Sequence, residues 1–371
     1  MKWTVGRRRG VALGALVCLA IVAFACGATL GDDAAAPQPS VAETLSPQLL
    51  AGERIVTGLR GTAISPGLRR AIARGRVAGV VLFAGNIPSR AAGRRLISRL
   101  RAIKRPPKLR DPLLAMTDQE GGLVKRVSGA PTASAKQMGA RGAAYSANQG
   151  RRTAANLRDL GIDVDLAPVL DVGRPGGVIA ATDRSFGATA ARVSAAAIPF
   201  AKALQAGGVV ATGKHFPGFG AARENTDFAA ERVDLSRREL RAVDERPYAA
   251  FAAAGGKIVM LSTAIYPAFS DDPAAFTRAI ATGELRHRLG FEGVTITDAL
   301  ETPAVAQFGG AAKVAVAGAR AGADLLLFAR LGPAERAWRA LVAKLRGGGL
   351  DRAEFEQAAQ HVLDLRGGLP R

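Results

Sequence analysis

The chain is expected to fold as a single (β/α)8 barrel, and three observations lead there. Short apolar runs recur eight times after residue 48, helical stretches fill the gaps between them, and polar residues gather just past the ends of several runs. The runs lie at 54–59, 79–83, 113–116, 162–167, 208–212, 257–262, 293–297 and 324–328. Each is too short for a typical helix and apolar enough for a parallel strand buried on both faces. Candidate helices occupy 66–74, 89–103, 145–160, 188–206, 236–254, 273–289 and 302–321, and a last stretch, 333–365, is broken by glycines at 347–349. A doubly wound open sheet is the rival, and no GxGxxG opens a helix after the first strand to support it.

Length and composition fit this assignment. The 371 residues are 48% hydrophobic, enough for a sizeable core and too apolar for a disordered chain beyond about residue 48. Ahead of that point, Lys2 and the arginines at 7–9 precede an uncharged run at 11–30, which reads as a signal peptide. The run is also about long enough to span a bilayer, so an uncleaved membrane anchor is the alternative for residues 1–30. Either way the domain is expected outside the cytoplasm, membrane-tethered or secreted. Cys18 and Cys26 are the only cysteines, and both fall in this segment, so the domain proper has no disulfide. Cys26 follows Ala23, Phe24 and Ala25 in a way that resembles a bacterial lipoprotein processing box, although Phe24 is bulkier than such a box usually accepts. Residues 31–47, rich in Ala, Pro and Asp, read as a flexible linker, and 48–371 as the barrel domain.

The formal net charge is +20, of which four positive charges belong to Lys2 and the arginines at 7–9. The remaining arginines are scattered, and only 5% of residues are aromatic, which argues against a nucleic-acid partner. Attraction to an anionic envelope polymer and a simple compositional bias are both compatible with that charge.

Chemistry is read at the strand ends, where parallel α/β folds build their sites. The first two offer mainly glycine and Asn86 and read as walls. The third delivers Asp118 and Glu120, then a Gly121-Gly122 pair that would let a ligand approach the backbone, then Arg126. After the fourth, Asp165 and Asp171 read as loop-holding carboxylates, and Arg184 as a ligand contact. The fifth ends in the heptapeptide KHFPGFG at 214–220, which places Lys214 and His215 beside a glycine-rich bend. His287 and His361 fall on predicted helices and read as bystanders. The seventh ends in Asp298, placed above the barrel mouth as a nucleophile or general base. No HExxH, CxxC, EF-hand loop, P-loop or GxSxG occurs, so no metal or other cofactor is expected.

Five ordered motifs resemble glycoside hydrolase family 3, in particular its single-domain β-N-acetylhexosaminidase branch. They are Asp118-Gln119-Glu120-Gly121-Gly122 with Arg126, Ala167-Pro168-Val169-Leu170-Asp171, Arg184-Ser185-Phe186-Gly187, Lys214-His215-Phe216-Pro217-Gly218 and Thr297-Asp298-Ala299-Leu300. The resemblance implies a carbohydrate substrate and retention of anomeric configuration. It implies Asp298 as the nucleophile, and Asp118, Arg126, Arg184, Lys214 and His215 as contacts to a terminal sugar. One element departs from the branch. Its acid loop carries Asp-Ser-His, whose histidine is the acid/base, where this chain has Asn225, Thr226 and Asp227, with Phe219 replacing a further histidine. Asp227 is the leading substitute acid and Glu224 the second. The expected function is hydrolysis of terminal β-linked N-acetylglucosamine, on peptidoglycan fragments or related oligosaccharides. Family-type β-glucosidase or β-xylosidase action and a sugar-binding pseudoenzyme are the alternatives.

Overall fold

Each of the eight apolar runs carries a strand in the computed structural model, which describes residues 40–370. The strands are Ile55–Gly58, Gly79–Leu82, Leu114–Thr117, Val164–Asp165, Val210–Phe216, Ile258–Leu261, Val294–Thr297 and Leu326–Phe328. Each pairs in parallel with the next, and the eighth pairs with the first, in register Ile55 to Leu326 and Val56 to Leu327. A bridge between Ile296 and Leu325 joins the seventh to the eighth and closes the barrel.

Alternation along each strand divides the core into two shells. Val56, Val81, Met116 and Met260 point into the barrel interior, whereas their neighbours Ile55, Val80, Ala115 and Val259 pack outward under the helices. Full burial of such side chains contributes roughly 1.5–3 kcal/mol each, so the strand register is held by the same residues that make the core. The interior is plugged at its base by the last helix, Arg352–Gly367, through Val362 and Leu365. Beneath that plug Glu53 accepts hydrogen bonds from both Arg105 and Arg366, and all three side chains are buried.

The helices start where capping residues direct. Ser65 accepts a hydrogen bond from Leu68 N–H ahead of Pro66–Ala73, Ser89 from Ala92 N–H ahead of Arg90–Arg101, and Thr189 from Arg192 N–H ahead of Ala190–Ala206. Other stretches are less regular than their sequence suggests. The stretch at 236–254 divides into Arg237–Glu239, a π-helical turn Leu240–Asp244, and Arg246–Ala253. The stretch at 302–321 divides at Gly309, where φ is 119°. As the glycines at 347–349 foretell, the final stretch forms two helices, Leu331–Arg346 and Arg352–Gly367.

The linker expected over 31–47 is not a tether in its described part. Ala42 and Leu45 are buried, Ala42 N–H donates to Gln360 Oε1 at 3.0 Å, and helix Pro47–Gly52 follows, capped by Ser46. Small apolar side chains fit against the last helix, and that burial outweighs the flexibility suggested by composition. The segments assigned to a signal peptide or anchor, including Cys18 and Cys26, lie outside the described residues.

Candidate active site

The mouth of the barrel holds a cavity of about 530 Å³ whose floor is the top layer of the interior, Val81, Leu166, Met260 and Leu327. Asp118, Arg126, Arg184, Lys214, His215, Asp227 and Asp298 all line it, so residues spread over 181 positions of sequence converge on one space. Glu224 is not among the lining residues, which leaves Asp227 as the acid candidate that meets the cavity.

Two carboxylates and two cations form the wall nearest the third and fifth strands. Lys214 Nζ lies 2.8 Å from both Asp118 Oδ1 and Glu120 Oε1. Arg184 grips Glu120 with both arms, Nε to Oε2 and Nη2 to Oε1, each at 2.8 Å. Arg126 Nε stands 3.9 Å from Asp118 Oδ2. Burial alone would raise the Glu120 carboxyl, but Arg184 and Lys214 outweigh it and hold the group well below the usual carboxylate range. Burial would likewise lower Lys214, yet Asp118 and Glu120 raise it above the ordinary lysine value, so it stays a cation. Neither cation is a proton donor at neutral pH.

Underneath this wall Asp165 is fully buried and accepts from Gln119 N–H at 2.9 Å, while its Oδ2 has no partner among the described residues. Burial pushes its carboxyl up to about 8. The glycines at 121 and 122 are required by packing. A side chain at Gly121 would meet Ala133 O at 2.2 Å and one at Gly122 would meet Ser134 Cβ at 2.9 Å, and both residues have positive φ, 95° and 58°. They let the short hairpin of Gln119–Gly121 and Val124–Lys125 fold back against its own loop. Gln119 fixes that loop by accepting from Arg126 N–H and Val127 N–H and donating to Val127 O and Ala130 O.

The fifth strand runs into the heptapeptide through cis peptides at Lys214-His215 and Phe216-Pro217. Asp171 holds the turn: it accepts from His215 N–H at 3.1 Å, Phe219 N–H at 2.7 Å and Tyr248 O–H at 3.1 Å, and its Oδ2 lies 2.8 Å from His215 Nδ1. An ionised carboxylate only accepts, so Nδ1 carries a proton and Nε2 is the nitrogen left for a ligand. Asp171 is thus the loop-holding group that its position suggested. His361, by contrast, pairs with Asp324 Oδ1 at 3.0 Å at the base of the barrel.

On the opposite wall, Asp298 N–H donates to Leu261 O at 2.9 Å, and Asp298 Oδ1 accepts from Ala299 N–H at 2.8 Å. The backbone therefore aims this carboxylate, with no ion pair to a cation among the described residues. Asp227 N–H donates to Asn225 Oδ1 at 2.9 Å. Although the side chain is exposed, its carboxyl is raised above the usual value, first by desolvation against the surrounding protein and then by the charge of Asp298, which prevail over the Asn225 hydrogen bond and the influence of His215. Sequence reading missed Glu301, which also lines the cavity and receives Arg330 Nε at 3.2 Å. Its only signal was a position three residues past Asp298. It missed the bridging role of Glu120 as well, because Lys214 and Arg184 reach it from two other strand ends.

The family model for the glycosyl hydrolase family 3 N terminal domain matches residues 48–365. An uncharacterized secreted glycosyl hydrolase of Arthroderma benhamiae is 36% identical over 346 residues, covering 91% of this chain and 97% of the fungal protein. A beta-hexosaminidase of Xanthomonas oryzae pv. oryzae is 34% identical, over 74% of this chain and 82% of its own. Among solved structures, the family 3 beta-N-acetylglucosaminidase of Paenibacillus superposes with a TM-score of 0.82 at 31% identity over 87% of this chain, which spans 62% of that protein's length. The beta-N-acetylhexosaminidase of Beutenbergia cavernae gives 0.77 at 31% identity, over 87% of this chain and 99% of its own. With a matched model over nearly the whole barrel, the same fold and a cavity built from the same ordered motifs, this chain belongs to glycosyl hydrolase family 3.

Proposed function

We propose that the protein is a retaining exo-glycosidase that releases terminal β-linked N-acetylglucosamine, with Asp298 as nucleophile and Asp227 as acid/base. The observation that carries this reading is the pairing of two unlike carboxyls on one cavity. Asp298 is held by backbone groups, and Asp227 is raised by desolvation and by Asp298 itself. Glycoside cleavage needs this division, one group to trap the oxocarbenium-like carbon and one to protonate the leaving oxygen.

In the first step Asp298 Oδ attacks the anomeric carbon as the glycosidic bond breaks, and the Asp227 proton passes to the leaving oxygen. Water then attacks the glycosyl-enzyme ester, gives its proton to Asp227, and restores both groups. Asp118, Arg126, Arg184, Lys214 and His215 grip the terminal sugar, with Asp118 accepting from sugar hydroxyls beside Lys214. The beta-hexosaminidase relatives support N-acetylglucosamine as the sugar, and fragments of peptidoglycan or related oligosaccharides are the proposed substrates. A secreted relative and the basic-then-uncharged N-terminus support export.

The test is nitrophenol release from aryl N-acetyl-β-glucosaminide and aryl β-glucoside, with Asp298→Ala alongside. Turnover of the first, absent in the variant, is expected. Faster release from the glucoside would move the enzyme to the β-glucosidase class. Sugar binding without turnover of either would make it a pseudoenzyme, the outcome favoured by the missing imidazole in the acid loop.

A further inference from the structure

Three large apolar side chains are exposed among the described residues: Val41, Leu123 and Phe228. Val41 precedes Ala42 at the base of the barrel. The other two belong to the mouth. Leu123 is 75% exposed at the tip of the hairpin whose next residue, Val124, lines the active-site cavity. Phe228 is 76% exposed and follows directly on Asn225, Thr226 and Asp227, all of which line the same cavity.

The turn that carries Phe228 is well bonded. Phe228 N–H and Ala229 N–H both donate to Asn225 O, at 2.9 and 3.2 Å, Asp227 N–H donates to Asn225 Oδ1 at 2.9 Å, and Thr226 is buried beneath them. These contacts hold the aromatic ring outward beside the acid. An acid must reach the oxygen that joins two sugars, so a side chain one residue farther out on its turn stands on the leaving-group side of that bond. The terminal sugar meets the charged clamp inside the cavity, whereas the leaving sugar meets this rim. A β-linked pyranose with equatorial substituents presents axial C–H groups on its ring faces. Such a face packs on an aromatic ring without needing a hydrogen-bond partner, and covering Phe228 and Leu123 takes apolar surface out of water.

We propose that Phe228, together with Leu123, forms a platform for the leaving sugar and holds neutral, gluco-configured rings there by face packing. This rests on the glycosidase reading above and adds both side chains as specificity-determining residues. The acid loop then has two tasks on adjacent residues, proton transfer at Asp227 and recognition of the departing ring at Phe228.

The experiment compares N-acetylglucosamine β-1,4-linked to N-acetylglucosamine with N-acetyl-β-glucosaminyl fluoride, whose leaving group has no ring. Both are hydrolysed by the full chain and by Phe228→Ala, Phe228→Tyr and Leu123→Ser. Each replacement is at an exposed position, so the unfolding midpoint should stay close to that of wild type. The ratio of kcat/KM for the disaccharide to that for the fluoride should fall by about fivefold to tenfold in Phe228→Ala, chiefly through KM. It should fall less in Leu123→Ser and recover in Phe228→Tyr. A residue that only shaped the loop would instead change kcat for both substrates together. An unchanged ratio in Phe228→Ala, or a lowered ratio that Phe228→Tyr fails to restore, would overturn the proposal. So would a wild-type dimer that Phe228→Ala converts to a monomer, since a second copy of the chain would then cover the ring. If the wild type cleaves neither substrate nor the aryl glycoside, the glycosidase reading fails instead. Kd for the disaccharide by calorimetry, wild type against Phe228→Ala, then decides the platform.

Discussion

The two ends of the barrel carry buried ion clusters of similar composition with opposite consequences. At the base, Glu53 is shared by Arg105 and Arg366, and Arg366 also donates to Ala78 O at 3.0 Å, so the last helix is fastened to the strands without an opening. At the mouth, Lys214 and Arg184 bind Asp118 and Glu120 with comparable closeness, but the cluster borders a cavity and Asp118 and Arg126 stay partly open to it. Ion pairing is therefore no mark of function. A cluster becomes a site when its geometry leaves some of its hydrogen-bonding capacity facing a space large enough for a substrate.

Substitutions at the two ends should separate along this line. The largest effect is expected from Asp298→Ala, which should lower turnover of every glycoside by about 10⁴-fold or more while leaving the unfolding midpoint close to that of wild type. Loss of activity together with loss of fold would show that the mouth is structural too. Asp227→Ala should cost about 10² to 10⁴ on disaccharides and far less on nitrophenyl glycosides, whose leaving group needs little protonation. Equal losses on both substrates would remove Asp227 from the acid role. At the base, Glu53→Gln should do the reverse. It strands two buried guanidinium groups at a cost of roughly 3–5 kcal/mol, read by denaturant unfolding, with kcat of the folded protein unchanged.

The effect that is smallest per unit of pH concerns Asp165, midway between the two behaviours because it is buried under the mouth without touching the cavity. Its folded carboxyl sits at about 8, above its unfolded value, so the folded state holds a proton that the unfolded chain has released. Between roughly pH 4 and 8 this group makes stability fall with rising pH, by up to about 1.4 kcal/mol per unit. Asp165→Asn should therefore flatten the decline relative to wild type. Parallel stability curves for the two proteins would show that Asp165 is ionised when folded.

The strands were legible in the sequence because a parallel barrel buries them on both faces, which leaves runs such as 257–262 and 293–297 with little ambiguity. Asp118, Lys214, His215 and Asp298 were legible because they lie directly at strand ends. What escaped notice depended on contacts between distant segments. Glu120 becomes a bridge only when the loop with Arg184 and the strand with Lys214 meet it. The hairpin at 119–125 was hidden for another reason, since its strands are three and two residues long and too brief to show a period. The helical stretch at 273–289 carried a helical pattern, yet the chain there forms a 3-10 turn, Ala274–Phe276, followed by the π-helical Ala279–Arg288.

The packing of Ala42 and Leu45 against the last helix fixes where the described chain enters the barrel. The described chain begins at the base of the barrel, beside His361 and Gln360, at the end away from the catalytic mouth. The entering residues 40–52 thus leave the rim of the substrate cavity clear.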